Sequence, residues 1–215
     1  MIALYAITDH PTPPVPGIGV MHVVASGRLA AVCGPVVTRE VTADALWQHE
    51  QIVESLMADR DVLPVRYATC VPDDAAAAQA LEDNRAEFAA SLETVRGAVE
   101  LAVRVFRAGE AVAPPALSPE AMTGTDYLRG RARSAAEESD ATAIVHEPLV
   151  RASRAATIAR VNRPGELLRT AYLVDRGATA SFLARVQRIQ EGKPQLKIIC
   201  TGPWPAYSFT SFTAS

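Results

Sequence analysis

The sequence predicts an α+β fold in two domains, an N-terminal α+β domain over 1–96 and a second domain over 97–215. Two observations carry the prediction. Short apolar runs alternate with helix-period stretches along all 215 residues, enough chain for one large core or two small ones. From residue 98 onward the order reads strand, helix, strand, strand, helix, strand, which is the ferredoxin-like βαββαβ order. An aromatic, proline-rich tail then closes the chain.

In the first domain, residues 1–8 are apolar and end at Thr8-Asp9, as a buried strand does. His10 to Gly19 holds four prolines and two glycines and reads as a loop. Val20–Ala25 and Leu29–Val37 flank Ser26-Gly27, a β-hairpin whose glycine tolerates the positive φ of a tight turn. Over Thr42–Met57 the residues Leu46, Val53, Leu56 and Met57 share one helical face. Thr42 is the expected N-cap, with Asp44 favourable in the first turn. Pro64 limits Val62–Thr69 to a sheet edge, a strand start or an extended loop. Pro72-Asp73-Asp74 opens a second helix to about Arg96, with Leu81, Phe88, Leu92 and Val95 as its buried stripe. Gly97 ends it and marks the boundary.

In the second domain, Ala98–Phe106 alternates Val99, Leu101, Val103 and Val105 against Glu100 and Arg104, a half-buried strand. A Pro/Gly-rich connection over Ala108–Gly124 leads to a helix from Thr125 to about Arg151, kinked or broken by Pro148. Strands at about Ala155–Val161 and Leu167–Val174 join across Asn162-Arg163-Pro164-Gly165. A helix over Ala178–Gln190 turns Phe182, Leu183, Val186 and Ile189 to one face, and Gln195–Thr201 is the last strand.

Composition narrows the function classes. The net charge of −3 gives no support to nucleic-acid binding. No apolar run reaches the roughly 18 residues that span a bilayer, so no membrane insertion is expected. The N-terminus has no basic-then-apolar export signal, and Cys33, Cys70 and Cys200 are widely spaced, as reduced thiols in a cytoplasmic protein are. Charge is uneven: residues 1–110 hold 8 basic and 15 acidic side chains, residues 111–215 hold 13 and 9. That asymmetry favours solvated faces first, and weak head-to-tail self-association or an acidic partner for the second half after that.

The chain lacks local metal-ligand spacing among His10, His22, His49 and His146, and lacks a nucleophile elbow. Gly17-Ile18-Gly19 has no helix after it and is no phosphate cradle. No cofactor and no catalytic role are expected. His49, mid-helix beside Trp47 and Glu50, reads as a packed or interface histidine rather than a general base. Arg66 follows Leu63-Pro64-Val65 in an extended segment, where a guanidinium forks onto a carboxylate, with Glu50 or Glu54 the expected partner. Chain ends usually fray, so Trp204, Tyr207, Phe209 and Phe212 in the tail imply docking, inward for Trp204 and open for Tyr207 and Phe209.

The ending Gly202-Pro203-Trp204-Pro205-Ala206-Tyr207-Ser208-Phe209 resembles that of the gas vesicle protein F/L family, with Ala206 in place of a second proline. Leu4-Tyr5-Ala6-Ile7 is similar to the family's opening strand. Val62-Leu63-Pro64-Val65-Arg66-Tyr67-Ala68-Thr69 resembles its "VLPVRFGT" segment, Tyr67 and Ala68 standing where Phe and Gly are usual. Asp126-Tyr127-Leu128 and Ala171-Tyr172-Leu173-Val174-Asp175 match two further stretches, so the resemblance covers most of the chain in order.

The resemblance implies two α+β domains, the second a modified ferredoxin-like one, and a cytoplasmic accessory protein at the gas vesicle. Such a protein would bind the small hydrophobic shell protein, together with other accessory proteins, and assist shell nucleation or growth without catalysis. Strand addition to a sheet edge, or by preference a groove between the two domains, would receive the client, the edge with Pro64 being a poor acceptor, and Arg66, Tyr67, Trp204, Tyr207 and Phe209 are the candidates for partner binding or for locking the domains. The alternative is a small-ligand protein or enzyme on a ferredoxin-like scaffold, a fold that hosts many activities.

Overall fold

The computed structural model describes residues 1–9, 21–36, 40–109, 136, 138–161, 163 and 165–210. The expected loop at 10–19, the start of the helix at 125, the 126–128 stretch, Asn162, Pro164 and Phe212 lie outside the described residues. The chain is mixed α/β with two sheets, and it divides into two compact units, Met1–Val99 with Trp204–Ser215, and Glu100–Pro203. The expected division at 96/97 placed the tail with the second domain. Its contacts group the tail, from Trp204, with the first unit instead.

The first unit contains β1 (Ile2–Thr8), β2 (His22–Ser26), β3 (Leu29–Pro35), α1 (Ala43–Met57), β4 (Leu63–Pro64), β5 (Cys70–Val71), α2 (Asp74–Asp83) and α3 (Arg85–Val95). Its sheet runs β2-β3-β1-β4, with β5 also paired to β1. The hairpin closes with Ser26 opposite Leu29 and Gly27 at φ +62°, the left-handed conformation that glycine takes without a Cβ penalty. Thr42 caps α1 by accepting a 3.2 Å hydrogen bond from the Ala45 amide, and Asp73 caps α2 by accepting one of 2.9 Å from Ala76.

Two expectations change here. The long helix after Pro72 is two helices, because the Asn84 side chain donates to the Ala80 carbonyl at 2.8 Å and its backbone leaves the helical region. The inward stripe of α1 is His49, Val53, Leu56 and Met57; Leu46, at the open N-terminal end, is exposed. The core below gathers Tyr5, Ala6, Val32, Val53, Leu56, Met57, Val62 and Val99.

In the second unit, β6 (Ala98–Arg107, which begins in the first unit) is followed by a π-helical turn Thr142–His146, α4 (Glu147–Val150), β7 (Ala155–Ile158), β8 (Glu166–Asp175), α5 (Thr179–Gly192) and β9 (Leu196–Trp204). The sheet order is β7-β8-β6-β9. Pro148 has no amide and its ring crowds the carbonyl four residues back. The chain accommodates it with the wide turn just before, closed by the Glu147 amide on the Thr142 carbonyl. β9 runs to Trp204, three residues past the expected end; it is an edge strand, which tolerates Pro203.

The second core joins Leu101, Val103 and Val105 of β6 to Ala141, Val145, Leu149, Tyr172, Phe182 and Val186. Glu100, expected on the wet face of its strand, is buried in the central strand β6. Glu166, wholly buried, is satisfied by two hydrogen bonds from Arg169 at 2.9 and 2.6 Å, with Arg104 at 3.9 Å. The Gln190 side chain ties α5 to β9, donating to the Leu196 carbonyl and accepting from the Ile198 amide, both at 2.7 Å. Leu183, expected in the stripe of α5, is 41% exposed, one position round the helix from buried Phe182.

That difference is measurable. Phe182→Ala should cost about 3–5 kcal/mol in urea unfolding, whereas Leu183→Ala should cost under about 1 kcal/mol. Equal losses would return Leu183 to the core.

Candidate functional site

The most elaborated surface of the first unit lies along the edge of β1. Tyr5 is the extra residue of a bulge: Leu4 pairs with Cys33 and Ala6 with Val32. A bulge turns its side chain away from the regular alternation, and Tyr5 stacks on the imidazole of His49, ring centres 5.0 Å apart. Gly34 leaves room for this arrangement, since a Cβ there would stand 3.2 Å from the Tyr5 ring and 2.6 Å from the Met21 sulfur.

β4 pairs with β1 only as far as Pro64, and the chain rejoins the edge at Cys70. Between them Val65 donates to the Tyr5 carbonyl at 2.9 Å, and Thr69 accepts from the Leu4 amide at 3.0 Å. The His49 Nε2–H donates to the Val65 carbonyl at 2.8 Å, which fixes the tautomer and leaves Nδ1 as the acceptor nitrogen. Burial pushes the His49 pKa down, the Val65 hydrogen bond only partly opposing it, so the ring is neutral. Tyr67 meets the ring edge-on at 5.7 Å and donates to the Glu40 carbonyl at 3.0 Å. Together Tyr5, His49, Tyr67, Cys70, Gln48 and Ile52 help line a cavity of about 90 Å³.

Arg66 projects from this excursion, exposed. The expected ion pair with Glu50 or Glu54 is not made among the described residues; Arg66 lies on the outer turn, one residue past the Val65 carbonyl that His49 holds. Ala68 has φ +65°, the strained position where the resembling segment has glycine.

The tail residues belong to the same unit. Pro205 and Ala206 are buried, Trp204 and Phe209 half-buried, and Tyr207–Phe209 forms a 3-10 turn. The buried Tyr207 hydroxyl faces the Glu50 carboxylate without the alignment of a hydrogen bond. Burial first, and Glu50 second, push the Tyr207 pKa up. Burial also raises Glu50; Tyr207 opposes that rise and Glu54 adds to it. The structure thus groups Arg66 and Tyr67 in one excursion and Trp204, Tyr207 and Phe209 in one tail segment. Sequence reading missed Tyr5 as the partner of His49, and it missed the 60% exposure of Trp47. The available signal was Trp47 itself, an aromatic outside the inward stripe of α1.

Cys33 and Cys200 are free thiols that burial pushes up to about 12 and about 11, values of inert rather than nucleophilic thiols. Among the described residues no three His, Cys, Asp or Glu side chains are grouped to hold a metal ion, and no helix is long and apolar enough to cross a membrane.

Two outcomes follow from this geometry. Ala68→Gly should raise stability by about 0.5–1 kcal/mol in urea unfolding, relief of the left-handed strain outweighing the unfolded-state entropy; a loss would contradict the strained backbone. For His49, a folded pKa below 6.5 means that its contribution is fully present above pH 6.5. It is lost as pH falls further, because the unfolded chain takes up the proton first. Stability measured between pH 7 and 5 should therefore fall less steeply in His49→Gln than in the wild type, and identical slopes would contradict it.

Comparison with known proteins gives the geometry a context. The family model described as gas vesicle synthesis protein GvpL/GvpF matches residues 2–211. Gas vesicle protein L of Streptomyces sp. (strain CB03234) is 32% identical over 185 residues, 78% of this chain and 69% of its own. Gas vesicle protein F of the same organism is 28% identical over 233 residues, 95% of this chain and 96% of its own. The crystal structure of GvpF from Anabaena sp. PCC7120 is similar at TM-score 0.78 and 17% identity, covering 99% of this chain and 97% of that one. That of GvpF from Microcystis aeruginosa gives 0.79 and 16%, with 98% and 99% covered. At those identities the structures share the fold. The match of the family model over nearly the whole length shows that this chain belongs to the GvpL/GvpF family of gas vesicle synthesis proteins.

Proposed function

We propose that this protein is a gas vesicle accessory protein that binds the small hydrophobic shell protein and assists shell nucleation or growth, without covalent chemistry. The observation that carries the reading is the family match over residues 2–211. A small, very hydrophobic client is hazardous in water because its apolar surfaces aggregate, and what it requires is a receptive surface rather than a catalytic constellation. The β1-edge excursion suits that role: a preformed aromatic socket at Tyr5, His49 and Tyr67 stands beside the exposed Arg66.

In this reading Arg66 and Tyr67 contact the client. Trp204, Tyr207 and Phe209 hold the tail in place. The strand order β7-β8-β6-β9 supports a ferredoxin-like second domain. The protein works in the cytoplasm at the growing vesicle, alongside other accessory proteins. The cavity of about 90 Å³ suits one inserted side chain and falls below the roughly 300–1,000 Å³ of ligand pockets, so this socket is better fitted to a side chain than to a small ligand.

Co-expression pull-down with the shell protein tests the proposal. The wild type should capture it, and a folded Arg66→Ala variant should capture several-fold less. A folded, monodisperse wild type that captures none would overturn the function; equal capture by Arg66→Ala would overturn the surface.

A further inference from the structure

The two sheets end at β2, β4, β7 and β9, and all of these edges but β7 carry a feature that obstructs a further strand. β2 is tied to α2 at both ends, His22 bonding Asp74 at 2.8 Å and Ser26 donating to Glu82 at 2.9 Å. At the β4 edge Pro64 ends the pairing. Along β9 the Gln190 side chain already occupies main-chain groups of Leu196 and Ile198, and Lys197 and Pro203 stand in the strand.

β7 is different, for its Ala-Ala-Thr-Ile sequence holds neither proline nor charge. Ala159 extends its ladder, the amide donating to the Arg169 carbonyl at 2.8 Å. In the register that sets Ala155 opposite Leu173 and Ile158 opposite Thr170, that bond makes Ala155, Thr157 and Ala159 the residues bonded to β8. The N–H and C=O of Ala156 and Ile158 therefore point away from β8. Among the described residues nothing bonds them.

The side chains around this edge indicate what it receives. Ala156 packs on the second core, so Ile158, two residues on, turns to the same face of the sheet, where it is 55% exposed. Arg160 and Arg163 follow, both exposed and, among the described residues, without an ion-pair partner. Arg151 and Arg154 precede the strand, Arg154 paired with Asp175. A second copy pairing antiparallel through the same edge would set the arginines after one strand against those before the other. Like charges so placed destabilise paired strands, whereas carboxylates on the incoming segment would complement them.

We propose that the β7 edge receives an extended segment of a partner protein, apolar beside Ile158 and acidic beside Arg160 and Arg163, added as a further strand to the sheet of the second unit. Main-chain hydrogen bonds to Ala156 and Ile158 hold the segment, and the arginines select its charge. The surface lies apart from the β1-edge excursion and its test uses no shell protein, so its failure would leave the proposed function standing.

Amide hydrogen exchange, read by NMR on the full chain with the blocked peptide Asp-Val-Thr-Val-Thr-Asp, tests the proposal. The peptide should slow exchange at Ala156 and Ile158 and leave Thr157 and Ala159, already bonded to β8, unchanged. The same peptide with lysine at both ends should bind about tenfold more weakly or worse, and so should the aspartate peptide to Arg160→Glu. Ile158→Pro removes an outward amide without touching a bond to β8; it should abolish binding while circular dichroism stays that of the wild type. No slowing at Ala156 and Ile158 with the peptide at millimolar concentration would overturn the proposal. Equal binding of the two peptides would overturn the acidic occupant. Slowing at the same two amides in the protein alone, rising with its own concentration, would make a second copy the occupant and overturn it as well.

Discussion

One hydrogen bond organises the first unit, from the His49 Nε2–H to the Val65 carbonyl at 2.8 Å. Where Pro64 ends the short strand β4, the backbone must leave the edge of β1 before Cys70 rejoins it. A carbonyl released from a sheet and buried needs a donor. His49 supplies it from α1 and stays neutral because burial disfavours its charged form. Arg66, Tyr67 and Ala68 are carried outward on the segment so fixed, while the Tyr5 bulge presents the ring on which the imidazole rests.

Much of this was legible from residue chemistry. Ser26-Gly27 specified the hairpin, Thr42 specified a cap, and Pro148 specified a disturbed helix that proved to follow a π-helical turn; Pro64 left an edge, a strand start or a loop open, and it ends a short edge strand. Two of the errors share a cause: period arguments weigh apolar residues and pass over what a polar side chain does locally. His49 took an inward position of α1 that Leu46 was expected to share, because a buried imidazole had a carbonyl to satisfy. Asn84 divided a helix by bonding to its own backbone. Leu183 differs from Phe182 by one step round α5, a distinction that periodicity alone resolves poorly.

The site was less legible than the fold, since its parts come from β1, α1, the excursion and the tail. Sequence singled out Arg66, Tyr67 and the tail aromatics, and read His49 as a packed or interface histidine. It contained no sign that Tyr5 would leave the regular pleat, which depends on its register against β3. The tail illustrates a constraint working over distance: β9 runs along a sheet edge that tolerates Pro203, and from Trp204 the chain groups with the first unit. The buried hydroxyl of half-buried Tyr207 faces Glu50, where burial raises the carboxyl pKa and Tyr207 opposes that rise.

Nitrogen-15 NMR of the imidazole through a pH titration tests the central claim most directly. The account predicts that His49 remains the neutral Nε2–H tautomer as pH falls through 6.5 and protonates only below it. Protonation near 6.5, or a neutral ring carrying its proton on Nδ1, would contradict the bond to Val65 and the excursion built on it.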